Sequence, residues 1–270
     1  MKFRVLFFVF NLVVVAAAAL IVFMPSVVMG WEYAELFWRS NWPVGIVFVV
    51  ILAGLNTYFA MNWRLFNLLE KENWPELIEY LEADVKSGKR IGGQRLRVLI
   101  NAYVVTAQPE KITELEEYLR GAQPQWIVRQ PLEFGIPYLL KNDAEAMERY
   151  FGEMKERSNC PEPLWVRWNY GFALMLQQRH DEARAVLVAI ADETENPVQK
   201  LLTAYLLDTI SSHDAAARAV VQRLRSELRS RYAGDKWERE LERQRSSLQV
   251  LVLSKLVSDA AAWAFGTGEA

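Results

Sequence analysis

Two stretches of this chain hold no Asp, Glu, Lys or Arg: 27 residues from Val5 to Trp31 and 24 from Ser40 to Trp63. A helix needs about 20 residues to cross a ~30 Å hydrocarbon core, so either run is long enough to span a bilayer. The 270 residues are 52% hydrophobic and 24% charged, an ordinary average that hides two unlike parts. Residues 1–64 carry four Lys/Arg and two Asp/Glu, leaving 27 and 31 for the remainder. Such patterning excludes a disordered or collagen-like chain and argues against a wholly soluble enzyme. Cys160 is the single cysteine, which excludes an internal disulfide framework and any multi-cysteine metal or iron–sulfur site. A net charge of −2 gives no global footprint for nucleic acid, so no nucleic-acid partner is expected.

The first span is predicted from Phe3 to about Met24, stopping at Pro25-Ser26, with Asn11 as its one strongly polar side chain. A secretory signal peptide is the rival reading, since Lys2 and Arg4 precede the run and Ser26 and Gly30 follow it. The apolar run is nearly twice the about 7 to 15 residues of a signal core, which favours an uncleaved span. The second span is predicted from Val44 to about Met61, after Pro43, with Asn56 and Thr57 inside it. Between them a short loop with Trp31, Tyr33, Phe37, Trp38 and Trp42 reads as an aromatic belt at the headgroups. Lys2 and Arg4 before the first span, and Arg64, Lys71, Lys86, Lys89, Arg90, Arg95 and Arg97 after the second, outweigh Arg39 in the loop. Positive residues are retained on the cytoplasmic side, so both termini are expected there and the chain is expected in the inner (cytoplasmic) membrane. From Val44 to Asn73 there is no proline, which predicts that the second span runs unbroken into Trp63–Lys71, the first helix of the body.

The body is predicted all-α. Apolar residues recur at three- and four-residue spacing in Leu65, Leu68, Leu69, in Leu77, Ile78, Leu81, and in Leu96, Leu99, Ile100, Tyr103. Breaker segments separate these helices at 86–93, 121–124, 158–163 and 195–197. Gly135 and Gly171 are 36 apart, as are Pro161 and Pro197, and Met147/Ala183, Phe151/Leu187 and Met154/Ile190 fall in the same register. Small residues let two antiparallel helix axes approach, while large apolar residues fill the space between.

On these residues the segment from Asn169 to Ala183 resembles a tetratricopeptide repeat, with Gly171, Ala183 and Leu187 in the family's small, Ala and large-apolar places and Pro197 closing the unit. Tyr138 and Phe151 fit the aromatic places of the preceding unit, Ala204 and Ala216 the small places of the next, and Leu77 and Ile112 the second-helix place of two earlier ones. Arg167 stands where that family has Trp, with Trp165 and Trp168 beside it. The resemblance implies an αα-solenoid of about five helix pairs over residues 65–232, after a transmembrane hairpin at 1–64 and before a capping helix within 233–270. A hairpin followed by repeats is similar, in topology alone, to bacterial HemY-type membrane proteins. The resemblance further implies a protein-binding scaffold whose first helices line a groove for a partner protein. Tyr138, Arg167, Asn169 and Tyr170 are its candidate contacts. A structural subunit of a larger membrane complex, making contacts through Asn11, Asn56 or Gly54, is the alternative.

No catalytic constellation assembles. His180 and His213 are expected at equivalent turns one repeat apart, about 8 to 10 Å from each other, too far to share a metal. The segment from Gly88 to Gly93 lacks the phosphate-loop spacing and reads as a basic turn near headgroups. Between Asp214 and Arg245 nine Lys/Arg interleave with six Asp/Glu, which reads as a solvated helix surface. Neither an enzyme nor a cofactor is expected. The last helix, Leu248 to Phe265, is too apolar to lie free and is expected to cover the final repeat.

Overall fold

The computed structural model describes residues 3–87, 91–211, 214–232, 234–245 and 247–266, and among them the chain is all-helical, without a strand. Sixteen helices follow one another: α1 Phe3–Met29, α2 Trp31–Met61, α3 Trp63–Glu70, α4 Trp74–Lys86, α5 Gly93–Val105, α6 Pro109–Ala122, α7 Gln125–Arg129, α8 Pro131–Lys141, α9 Ala144–Lys155, α10 Pro163–Leu176, α11 His180–Glu193, α12 Pro197–Ile210, α13 Ala215–Arg231, α14 Asp235–Gln244, α15 Leu248–Val252 and α16 Ser254–Phe265. They form two compact units, Met1–Ala83 and Asp84–Ala270.

In the first unit α1 and α2 form an antiparallel hairpin. Phe7–Val28 and Glu35–Met61 have mean hydropathies of 2.8 and 2.1, long and apolar enough to cross a membrane. Neither is covered by the rest of the protein: Leu20 is 73% exposed and Val27 83%. The expected stop at Pro25 is not observed, because α1 continues to Met29 with Pro25 inside it. So near the end of a helix a proline costs one hydrogen bond and the rest of the turn holds. The expected aromatic loop is helical as well. Gly30 alone separates the two helices, at φ 88 and ψ 168, a conformation that only glycine adopts without strain. Helical geometry then lapses at Asn41 (φ −111, ψ 15), two residues before Pro43, whose nitrogen has no hydrogen to donate.

The hairpin is held by packing and by two polar contacts between its helices. Asn56 Nδ2 donates to Asn11 Oδ1 at 2.9 Å, and Trp38 Nε1 to the Val22 carbonyl at 3.1 Å. Asn11 also spends its Nδ2 on the carbonyl of Phe7, and the Phe7 and Phe59 rings meet edge-on at 5.4 Å. The second span does not run unbroken into the body, because Asn62 leaves helical geometry (φ −103, ψ 9) between α2 and α3. Its side-chain amide bonds the Tyr58 carbonyl at 2.9 Å and so competes with the helix ladder, the behaviour that makes Asn a poor interior helix residue.

In chain order α3 and α4 follow the hairpin, within the first unit up to Ala83, and the second unit holds the packed pairs α5/α6, α8/α9, α10/α11 and α12/α13. Four of the turns that join consecutive helices are built alike. Glu72, Ala107, Asn142 and Gln178 adopt φ of 51, 55, 52 and 62 at spacings of 35, 35 and 36 residues. Each donates its N–H to the carbonyl three residues back, and the next residue donates to the carbonyl five back: Asn73 to Leu68, Gln108 to Tyr103, Asp143 to Tyr138, Arg179 to Leu174. This is the Schellman closure of a helix. The following helices start on preset residues. Pro109, Pro131, Pro163 and Pro197 each occupy a first position, where the missing N–H costs nothing. Asp143, Asn196 and Asp214 cap α9, α12 and α13 through their side chains.

The glycine register appears as contact. A Cβ on Gly135 would meet the Phe151 ring at 2.3 Å, and one on Gly171 would meet Val186 and Leu187 at 3.2 and 3.4 Å. Phe151 and Leu187 both lie sixteen positions after their glycine, and Met147, Ala183 and Ala204 are fully buried. The next unit is displaced by one: Ala216 is exposed and Ala217 buried in its stead. The connection from Ile210 to Ala215 is one residue longer than that from Leu176 to His180, which rotates α13 by one position. Neighbours in sequence pack on one another from α8 to α13, and the leading helices α5, α8, α10 and α12 also touch in succession.

Two substitutions probe this geometry. Gly135→Ala should destabilise the protein by about 1–3 kcal/mol, since the Phe151 ring has to move. Gly171→Ala should stay within about 1 kcal/mol of the parent, the helix-propensity gain offsetting a mild contact. Denaturant unfolding of both variants checks the order. Ala107→Gly should stabilise the second turn by about 0.5–1 kcal/mol, because the left-handed residue then carries no Cβ penalty; an unchanged or lowered midpoint would count against the turn as described.

Candidate functional site: the leading helices and the C-terminal segment

The leading helices carry the four residues singled out in sequence, and each is engaged within the chain. Tyr138 on α8 donates its hydroxyl to Glu116 Oε2 of α6 at 2.8 Å, and its ring lies 5.2 Å from that of Tyr150. Glu116 is only 4% exposed and shares its other oxygen with Arg120, which reaches on to Glu153 of α9. Burial, and then the Glu116 charge, push the Tyr138 phenol upward, so it stays protonated and donates. Tyr150 is wholly buried and gives its hydroxyl to the Pro131 carbonyl. Arg167 forms a two-pronged pair with Glu193 at 2.7 and 2.9 Å, joining α10 to α11. Tyr170 lies under the Lys155 ammonium, 3.9 Å from the ring centre, above Gly152.

Asn169 is placed differently from a groove contact. It has no exposed surface, and its Oδ1 accepts from Gln249 Nε2 of α15 at 2.7 Å. Two residues along a helix turn the side chain by about 200°, so Asn169 points away from Arg167.

Gln249 belongs to the C-terminal segment, expected from the sequence to be one capping helix. It is three helices, with α15 and α16 breaking at Leu253. Short α15 packs on α8, and α16 packs on α12 and α13. Trp263 donates its indole N–H to Asp208 at 3.0 Å and meets the Tyr205 ring edge-on. Two arginines of the mixed-charge stretch, Arg225 half-buried and Arg229 exposed, are tied to the C-terminal segment. Arg225 and Arg229 on α13 donate to the carbonyls of Trp263 and Ala264 in the last turn of α16, and Arg225 also lies over the Trp263 ring at 4.6 Å. Cations at a helix C-terminus meet carbonyls that lack a helical partner, a favourable use of the macrodipole. At the other end, Asn196 reaches Gln244 of α14. The apolar pattern of Leu248 to Phe265 was the available signal for this cover; the arginine anchors had none beyond their charge.

The other sequence candidates disperse. His180 is the exposed first residue of α11, while His213 and residues 88–90 of the glycine-rich segment lie outside the described residues. Gly93 opens α5 against the Trp126 ring. The Cys160 thiol is pushed up by burial and by Glu162, the opposite of an activated nucleophile. Among the described residues no three His, Cys, Asp or Glu come together to hold a metal ion.

These features define an all-helical protein with two N-terminal helices long and apolar enough to cross a membrane and a body of paired helices under its own C-terminal segment. Residues 111–266 match the family described as "Uncharacterised Treponema protein", and the chain belongs to that family. A relative from Treponema pallidum (strain Nichols), described as "Uncharacterized protein", is 28% identical over 243 residues, covering 84% of this chain and 77% of the relative. That coverage is more than the second unit alone contains, so the likeness extends into the unit that holds the hairpin. No solved structure matches.

Several carboxylates of the body are held below their ordinary range. Glu148 is held there by the Gln177 amide and then Arg179, Glu182 by Arg179, and Glu193 by Arg167. Glu153 is lowered by Arg120 and Arg157 against the burial that pushes it up, and Asp214 by the Ala217 and Ala216 amides and then Arg184. In each case the unfolded chain binds protons at a higher pH than the folded one. Stability is therefore full above the ordinary carboxylate value of about 4 and falls as pH drops through the lowered folded values. Denaturation midpoints measured from about pH 6 to 3 should fall steadily, and Arg179→Gln should flatten the curve.

Proposed function

We propose that this protein is a membrane-anchored protein-interaction scaffold, held in the bilayer by the α1–α2 hairpin with its helical body on the cytoplasmic side. Three observations support the anchor. The apolar windows are uncovered by the protein; such surface is unstable in water and stable in lipid. The Asn11–Asn56 bond pairs amides that a bilayer would otherwise leave unsatisfied. It also ties α1 to α2, which supports a retained first helix over a cleaved leader. The excess of Lys/Arg flanking the hairpin supports the orientation.

The body reads as a tetratricopeptide-like αα-solenoid, supported by the four equivalent turns and the Gly135/Gly171 register. The observation that carries the scaffold reading is the seating of α15 and α16 against α8, α12 and the Asn169 amide of α10. A row of leading helices that receives helices of its own chain has the relief and polar anchors to receive one from a partner. Beside that seat, Leu241, Val250, Leu251 and Val257 line an open hollow of about 430 Å³, with Leu251 52% exposed. An apolar side chain of a partner helix fits this hollow, and Arg245 stands at it.

A photo-crosslinking residue placed at Leu251, in full-length protein within carbonate-washed membranes, should yield one discrete adduct. The same residue at Glu117, exposed on α6, should yield none. No adduct from Leu251, or the same adduct from both positions, would overturn the reading.

A further inference from the structure

A second hollow, of about 180 Å³, lies where the N-terminal part of the leading row meets α15. It is lined by Arg97 and Asn101 of α5, Leu132 and Glu133 of α8, Glu162 before α10, and Ser247, Leu248 and Gln249. Its chemistry is lopsided. Among the described residues Arg97 is the one cation of the lining, and it is spent on Glu133, Nε to Oε1 at 2.8 Å. Glu162 makes no hydrogen bond through its carboxylate among the described residues, and partial desolvation and then the Glu133 charge push its acid upward against the opposing pull of Arg97. Two carboxylates against one guanidinium leave a net charge of −1.

Two residues of the lining carry buried acceptors without a partner. Gln249 is 2% exposed; its Nε2 is committed to Asn169, and its Oε1 has no partner. Asn101 Oδ1 is likewise buried without a partner. A buried acceptor left unmade costs about 1–3 kcal/mol, so two of them beside an underneutralised carboxylate mark a place that wants donors. The group that offers three donors, no acceptor and one positive charge is a primary ammonium. Leu132 and Leu248 supply apolar wall, and the volume equals that of about six waters, enough for a short alkyl chain behind the nitrogen.

We propose that this hollow binds a primary ammonium on a short alkyl chain, the chemistry of n-butylammonium, supplied by a free amine or by a lysine side chain. The ammonium donates to Glu162, Asn101 Oδ1 and Gln249 Oε1, and the alkyl chain lies on Leu132 and Leu248. Because Gln249 comes from α15 and the other polar groups from α5, α8 and the α9–α10 turn, the bound cation also fastens the C-terminal segment to the leading row.

Isothermal titration calorimetry of full-length protein in detergent, with n-butylamine as probe and sodium chloride of equal ionic strength as reference, should give one saturable site with a Kd of about 1 mM or tighter. Glu162→Gln should weaken binding about tenfold or more, and Arg97→Gln should tighten it, since the site then carries −2; both side chains are accessible, and circular dichroism checks that the variants fold. Amide exchange in residues 248–252 should slow with the amine present. Equal binding of Nα-acetyl-lysine methylamide assigns the site to a lysine side chain, and binding of the free amine alone assigns it to a small molecule; either supports the proposal. No saturable heat, equal heat from magnesium chloride, or an affinity that neither variant changes would overturn it.

Discussion

The structure after the hairpin rests on one backbone device, a helix closed by a residue in the left-handed region with hydrogen bonds spanning three and five residues. The device reverses the chain within two residues, and everything else about a helix pair follows from that reversal. Antiparallel helices so tightly joined lie close near the turn, which is why Gly135 and Gly171 sit under the residues sixteen positions on. The turn is made by main-chain groups, so Glu72, Ala107, Asn142 and Gln178 perform it alike although their side chains share nothing. A repeat written in backbone geometry leaves a faint trace in side-chain identity. Its period of 35 to 36 residues is regular in space and scarcely visible in composition.

Under the proposed anchoring, the hairpin obeys a different solvent. Apart from the charged start of α2 (Glu32, Glu35 and Arg39), its surface is apolar, which water penalises and hydrocarbon does not, while a polar side chain among those apolar residues must find a partner inside. Asn11 and Asn56 satisfy that requirement by bonding to one another and to carbonyls of their own helices. Thr57 gives its hydroxyl to the Ala53 carbonyl in the same way. With a single residue of connection, Gly30 has to turn the chain by itself, and its φ of 88 shows how.

The parts of this organisation that were legible in sequence are those written in local chemistry. The uncharged runs and the glycine register are signals of that kind. Where two local rules compete, the reading failed. Pro25 reads as a stop, yet it is tolerated near the end of a long helix; the aromatic stretch reads as a loop but has no reason to abandon helix; and Asn62 interrupts where the absence of proline suggests continuity. Ala216 was off by one because a single extra residue in a turn rotates the next helix by 100°. The site was far less legible than the fold. Gln249 and Asn169 are 80 positions apart, and Arg97, Glu133, Glu162 and Gln249 meet only through the stacking of helices, for which no periodic pattern exists.

The C-terminal segment is better understood as part of the body than as a lid added to it. The family match begins within α6 and ends one residue beyond α16, so the unit that defines the family includes the segment together with most of the row on which it lies. Its attachment agrees with this. Trp263 is bound through its indole nitrogen, its ring face and its backbone carbonyl to Asp208, Arg225 and Tyr205, and loss of α16 would expose the apolar surface around Ala204 and Leu224 on which Trp263 packs. The attachment of α15 is thinner: a five-residue helix, one buried amide bond to Asn169, and a hollow with unmatched acceptors beneath it. A segment anchored firmly at α16 and lightly at α15 has its weak end over α8 and α10. Any partner or ligand that acts on this row has least to displace there, and most to gain by supplying the donors that Gln249 and Asn101 lack.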